Sequence, residues 1–193
     1  MKFISLLKDI SLWNDFIKIY NDSFKEWERE SVDRLLINMI KGRYEITIYL
    51  DNNKVQGFYI LDIRTKLNYA LITFLAVKKE LRGKKIGSKL CLNAIDFFQT
   101  NLLCGWLLVE AGDTQARFYK NLGFERINID YKIPKFNSKE SISTQLLYIN
   151  KGETINAKSL SRIIQDIFIK GYSLDEDDER IKIQLQKVNL HKN

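Results

Sequence analysis

Seven consecutive residues, Arg82-Gly83-Lys84-Lys85-Ile86-Gly87-Ser88, gather three cations, two glycines and a hydroxyl into one short stretch. A turn of this kind between a strand and a helix leaves main-chain N–H groups without intrahelical acceptors, at the positive end of the helix dipole, and such a point holds phosphate. The flanks supply both elements. Leu71 to Val77 is an apolar run that reads as a strand, and Leu90, Cys91, Ala94, Ile95 and Phe98 recur at helical spacing, so a helix opening near Gly87 is pinned by its own apolar face. An ordinary solvated turn has the same composition, so the stretch taken alone leaves both readings open.

A second motif follows, Ala116-Arg117-Phe118-Tyr119-Lys120-Asn121-Leu122-Gly123-Phe124. The pair, in this order and spacing, resembles the GCN5-related N-acetyltransferase (GNAT) superfamily over roughly Leu12 to Ile149. There an Arg/Gln-x-x-Gly-x-Gly/Ala motif holds the pyrophosphate of acetyl-coenzyme A, and a Phe-Tyr-x-x-Leu-Gly-Phe pattern supplies a tyrosine near the thioester sulfur. The middle glycine of the first motif is Lys85 here, a side chain that could narrow the approach to phosphate or add a cation to it. Ser23-Phe24-Lys25-Glu26-Trp27-Glu28-Arg29-Glu30 is similar to a Ser-Phe-Pro-x-x-Glu-Arg segment of one uncharacterised bacterial branch, with Lys25 in place of proline, and Tyr131-Lys132-Ile133-Pro134 resembles the same branch.

The resemblance implies an α/β GNAT fold, also called the acyl-CoA N-acyltransferase fold: a mixed, mostly antiparallel sheet with splayed central parallel strands, flanked by helices. It implies acetyl-CoA as co-substrate, bound by main-chain amides of Arg82, Gly83, Lys84, Lys85, Ile86, Gly87 and Ser88. Main-chain groups of Leu75, Ala76 and Val77 would pair with the pantetheine arm. A strand N–H there would also serve as oxyanion donor, a kind of group worth about 3 kcal/mol in other enzymes. Tyr119 matches the family's tyrosine, and a phenol of pKa about 10 can protonate a departing thiolate while staying protonated at neutral pH; the other reading makes it a packed helix residue. Glu110, at the carboxyl end of a buried strand, could take the amine's proton, or could simply be solvated or hold an arginine. Trp27 and Glu28 fall where the family lines its acceptor cleft, and fit a charged loop anchored by Trp27 equally well.

Composition narrows the field. The chain has 193 residues, 45% hydrophobic and 28% charged, enough for one well-buried core and an appendage. The net charge of +7 calls for an anionic partner without choosing between coenzyme A, nucleic acid and an acidic substrate. No apolar run approaches the roughly 20 residues of a membrane span, the amino terminus is too short in its apolar part for a signal peptide, and a cytoplasmic protein is expected. Cys91 and Cys104 lack metal-ligand spacing and sit in apolar surroundings, as buried reduced thiols do. His191, the single histidine, stands against a Ser-His-Asp or Cys-His mechanism and against a His-rich metal site, so no metal is expected.

In chain order, Phe3 to Leu7 reads as a first strand. Two amphipathic helices follow, the second capped by Ser31. Glu45 to Leu50 and Val55 to Ile63 form a hairpin through Asp51-Asn52-Asn53, and Ala70 to Val77 returns as the third strand of an antiparallel meander. Trp106 to Val109 reads as a strand buried on both faces and parallel to its neighbour, closing a right-handed βαβ unit. Asp113 or Thr114 should cap the next helix, with Gly123 ending it in the left-handed conformation. Glu125 to Tyr131 and Ser143 to Ile149 complete the core, joined by a loop holding Pro134.

Residues 1–150 thus form the acetyltransferase domain, and residues 151–193 a helix-strand extension that packs on the core or on a homodimer partner. Leu160, Ile163, Ile164, Ile167 and Phe168 make the helical stripe, ended by Gly171; Ile181, Ile183 and Leu185 alternate as in a strand after the acids Asp175 to Glu179, which read as a solvated turn or as a lure for a cationic acceptor. The leading function is N-acetyl transfer from acetyl-CoA to a small-molecule or peptide amine by direct attack in a ternary complex. A catalytically silent acyl-CoA-binding or regulatory module is the alternative. A nucleic-acid binder ranks last, because no element carries clustered cations with interleaved aromatics.

Overall fold

The computed structural model describes residues 2–190, so His191 lies outside the described residues. The chain divides into two compact units: one runs to Arg64 and resumes over Ala70–Cys104, the other comprises Thr65–Tyr69 and the chain from Gly105 onward.

The first unit is built on strands β1 (Lys2–Ser5), β2 (Tyr44–Asp51), β3 (Lys54–Arg64) and, from Ala70 onward, β4 (Tyr69–Val77), neighbours in that order. β1 and β2 pair antiparallel from Lys2 opposite Leu50 to Ser5 opposite Thr47. β1 is shorter than the expected Phe3 to Leu7, because the chain turns at Leu6 to drive that side chain, fully buried, into the core. The β2–β3 hairpin turns at Asn52 and Asn53, with φ of +49° and +57°, as a two-residue turn of this chemistry requires. Helices α1 (Trp13–Ser23) and α2 (Val32–Ile40) cover one face, the second capped by Ser31, whose hydroxyl accepts from the Arg34 N–H at 3.3 Å. Phe16 packs edge-on against Phe58 at 4.7 Å and Tyr20 against Phe74 at 5.0 Å. Alternation along β3 turns Phe58 and Ile60 to that core and Gly57 and Tyr59 to α3 (Ile86–Asn101), whose Asn93 accepts from the Tyr59 hydroxyl at 3.0 Å. The predicted stripe of α3 is buried, with Cys91 in it as a free thiol that burial pushes up to about 12.

In the second unit β5 (Trp106–Ala111) pairs antiparallel with β8 (Ser141–Asn150), Glu110 standing opposite Leu146. The strand expected over Glu125 to Tyr131 is broken. β6 (Glu125–Arg126) and β7 (Tyr131–Pro134) each pair with β8, and between them the Ile129 N–H turns back to the Ile127 carbonyl at 2.9 Å to bury Ile129. Pro134 consequently ends a strand instead of lying in a loop. Helix α4 (Asp113–Lys120) starts from Gly112, not from an Asp113 or Thr114 cap: Asp113 instead accepts from the Gln145 side chain at 2.7 Å.

The extension belongs to this unit. α5 (Ala157–Asp166) buries the predicted stripe and runs into a π-helical turn, Ile167–Gly171. The expected strand after the acids is a helix, α6 (Glu179–Leu190). Over residues 179–188 its buried positions are Ile181, Gln184 and Val188, at helical spacing, while Ile183 is 48% exposed. Gln184 is 2% exposed because its amide bonds the Lys132 N–H at 3.0 Å and the Asp130 carbonyl at 3.1 Å. Asp175, Glu176 and Asp177 are exposed, and Asp178 opens α6 by accepting from the Arg180 N–H at 2.9 Å and pairing with its guanidinium at 2.7 Å.

Candidate active site

β4 leads through a tight turn, Lys79–Leu81, into the basic loop. Gly83 takes φ +78° and Lys85 takes φ +60°, ψ +12°, so the lysine adopts the left-handed conformation for which the family motif uses glycine. That bend sets α3 running from Ile86. The Lys89 N–H donates to the Lys85 carbonyl at 3.1 Å, whereas among the described residues none accepts from the N–H groups of Gly83 to Ser88. Six adjacent amides therefore have no acceptor among the described residues, on a cationic loop exposed at Gly83 to Lys85 and half-buried at Ile86 to Ser88, beside a helix N-terminus. Beside the loop lies a cleft of about 610 Å³, lined by Asp15, Lys18 and Asp22 of α1 and by Lys78, Lys79 and Arg82.

The strand before the loop has two kinds of main-chain group. The Ala76 carbonyl lies over Gly57 and the Lys78 N–H donates to the Gln56 carbonyl at 3.0 Å, so these alternate residues face β3. Leu75 and Val77 direct their main-chain groups to the opposite edge by the same alternation, where the Val77 carbonyl accepts from Nε of Arg82 at 3.3 Å.

Glu28 has a local partner: its Oε2 accepts from the Lys25 N–H at 2.8 Å, closing the Glu26–Glu28 turn, and the Lys25 ammonium sits 5.7 Å from the Trp27 ring. The acid next to this segment that sequence reasoning passed over is Glu30. It is buried, accepts from the Tyr44 hydroxyl at 2.5 Å and pairs with Arg34 at 2.7 Å; burial raises its carboxyl above the usual range, opposed by Tyr44 and Arg34. Asp62, also buried, is gripped by Arg43 at 2.8 Å and Arg64 at 2.9 Å. Arg34 and Arg64 lie close to their acids in sequence, but Tyr44 and Arg43, 14 and 19 residues away from theirs, leave no local spacing to detect.

In the second unit, Tyr119 is buried on the last turn of α4, its ring 5.0 Å from Phe118 and 5.4 Å from Phe124. Gly123, at φ +94°, turns the chain so that the Phe124 N–H reaches the Tyr119 carbonyl at 3.2 Å. The motif thereby closes the helix and seats the tyrosine ring together. Glu110, near the end of β5, holds neither solvent alone nor an arginine: Oε1 accepts from the Tyr131 hydroxyl at 2.5 Å and Oε2 from the Tyr172 hydroxyl at 2.8 Å. Burial pushes its carboxyl up to about 7 against the pull of both hydroxyls, and the same surroundings push the Tyr131 phenol well above its ordinary value. A carboxyl poised there can take a proton at neutral pH.

Among the described residues no helix is long and apolar enough to cross a membrane, and no group of three or more His, Cys, Asp or Glu could hold a metal ion. The family model described as the acetyltransferase (GNAT) family matches residues 13–124, a span that includes the basic loop, Glu110 and the Tyr119 motif. Streptothricin acetyltransferase A of Bacillus subtilis (strain 168) is 34% identical over 86 residues, 44% of this chain and 47% of that protein, so the match spans about half of the curated relative. Among solved structures, a GNAT-family protein from Bacteroides thetaiotaomicron superposes with a TM-score of 0.75 at 16% identity, over 91% of this chain and all of that one. An aminoglycoside 6'-N-acetyltransferase complexed with coenzyme A superposes with a TM-score of 0.63 at 12% identity, over 81% of this chain and 100% of that one.

Proposed function

The chain belongs to the acetyltransferase (GNAT) family, and we propose that it moves the acetyl group of acetyl-CoA to an amine by direct attack in a ternary complex. The observation that carries this reading is the loop of Gly83 to Ser88, whose amides stay unpaired because Lys85 holds the left-handed bend. Those amides bind the diphosphate of the coenzyme, with Arg82, Lys84 and Lys85 adding charge. The outward main-chain groups of Leu75 and Val77 take the pantetheine arm, and one of their N–H groups supports the oxyanion.

The amine nitrogen attacks the thioester carbonyl carbon, forming the C–N bond. The proton on that nitrogen passes to Glu110, directly or through water. The tetrahedral intermediate then breaks its C–S bond, and the departing thiolate takes the proton of Tyr119. Trp27 serves on the acceptor side, while the capping bond of Glu28 favours a supporting part for it.

Streptothricin is the first acceptor to test, given the likeness to a protein named for acetylating it. Calorimetry with acetyl-CoA should show one site per chain. Thiol release should follow with at least one of streptothricin, an aminoglycoside, spermidine and a peptide with a free amino terminus, and rates varied in both substrates should give intersecting lines. Parallel lines would overturn direct attack. Binding of acetyl-CoA without thiol release would leave an acyl-CoA-binding module, and absence of binding would remove the reading altogether.

A further inference from the structure

Tyr172 stands 62 residues from Glu110 in sequence, yet its hydroxyl reaches Oε2 of that carboxyl while Tyr131 occupies Oε1. From this geometry we infer that Tyr172 is a positioning residue for acetyl transfer, and that the carboxy-terminal extension thereby completes the site by fixing the carboxyl of Glu110. The inference rests on the reading of Glu110 as the base.

A carboxylate held through one oxygen still turns about its last bond; held through both, it presents its remaining lone pairs in one direction. The extension is built to deliver that second contact. α5 is anchored by the buried side chains of Leu160, Ile163 and Ile164, and by Asp166, which accepts from the Tyr69 hydroxyl at 2.7 Å. The helix then widens into the π-helical turn, a form that is rare and gathers at functional positions. The turn closes where the Tyr172 N–H donates to the Ile167 carbonyl at 3.1 Å, and the left-handed Ser173 sends the chain away. Phe136 at 5.2 Å and Phe168 at 6.0 Å brace the Tyr172 ring, so its hydroxyl is aimed.

The surroundings isolate the effect. On β8 the residue opposite Glu110 is Leu146, flanked by Gln145 and Leu147, none of which titrates. β7 contributes Tyr131, the segment after the π turn contributes Tyr172, and the next titratable groups, Tyr69 and Asp166, engage each other. Removing the Tyr172 hydroxyl therefore removes one of two bonds to the carboxylate and leaves its burial in place.

The test is Tyr172→Phe, which keeps the braced ring, in the full-length protein. With carbon-13 in the glutamate side-chain carboxyls, the resonance missing from Glu110→Gln identifies Glu110 without any acceptor. Its midpoint, about 7 in the parent, should move upward by about one pH unit in Tyr172→Phe. In thiol release from acetyl-CoA with the fastest of the four amines, the acidic limb of kcat/KM should move with it, while KM for acetyl-CoA stays within about twofold. An unmoved midpoint overturns the contact. A midpoint that moves while the limb does not overturns the positioning role, and full turnover in Glu110→Gln would place the failure in the base assignment itself.

Discussion

Gly57 and Ala76 approach so closely that a Cβ on the glycine would lie 2.6 Å from the Ala76 carbonyl oxygen and 3.0 Å from the Leu90 side chain. Backbone cannot yield as a flexible side-chain end does, so β4 must shift if Gly57 gains even a methyl. Gly57→Ala should cost about 1–3 kcal/mol, read as a lower urea midpoint. Leu75 and Val77 ride on the same strand, so acetyl-CoA should bind several-fold more weakly by calorimetry. Unchanged midpoint and unchanged binding would mean that the approach is slack.

Lys85 holds a conformation, φ +60°, that costs an ordinary residue about 1 kcal/mol and glycine almost nothing. Its exposed ammonium adds only a screened attraction for phosphate. Lys85→Gly should therefore bind acetyl-CoA within about threefold of the parent, whereas Lys85→Val, whose branched side chain resists the left-handed region, should lose tenfold or more. Equal losses in the two variants would make the cation, not the bend, the contribution of this position.

How far the sequence disclosed these features depended on how local their causes are. The stripe of α3, the Ser31 cap and the Asn52-Asn53 turn each follow from a few adjacent residues, and each was readable. α6 was not, because its central buried position is Gln184, a polar residue satisfied by main-chain groups of Asp130 and Lys132 more than fifty residues away, so apolar residues alone suggested alternation. The break between β6 and β7 likewise depends on burying Ile129. Glu110 could be named from its place at a strand end, but not Tyr131 and Tyr172, which reach it only through strand pairing and a π turn. The Phe118 to Phe124 motif was visible, while its packing role, closing α4 around the Tyr119 ring, is a matter of tertiary contact.

That packing sharpens the test of Tyr119. Phenylalanine fills the same space against Phe118 and Phe124, so Tyr119→Phe should keep the fold and the affinity for acetyl-CoA. Turnover should fall roughly 10- to 100-fold if the phenol protonates the thiolate. The loss should shrink with an acyl donor whose leaving thiol is more acidic, since such a group departs without help. A loss independent of the leaving group would remove Tyr119 from proton transfer.

The carboxyl of Glu110 also ties stability to pH. Its ordinary value of 4.5 in the unfolded chain becomes about 7 in the folded one, so between those values the folded state binds more protons. Stability contributed by this group is therefore fully present below about 4.5, is lost as pH rises toward 7, and changes no further above it; the whole span amounts to about 3 kcal/mol. Glu30, raised by its own burial, acts in the same direction in every variant that retains it, and so cancels from a comparison. Glu110→Gln should accordingly gain stability relative to the parent between pH 4.5 and pH 8, by about 3 kcal/mol in urea unfolding. The quantity to compare is the change in that difference with pH, because the amide alters the bonds to Tyr131 and Tyr172 by an amount that is nearly the same at both ends. Parallel stability curves for the two proteins across this range would show that Glu110 titrates as an ordinary surface carboxylate, and the neutral-pH base would have to be sought elsewhere.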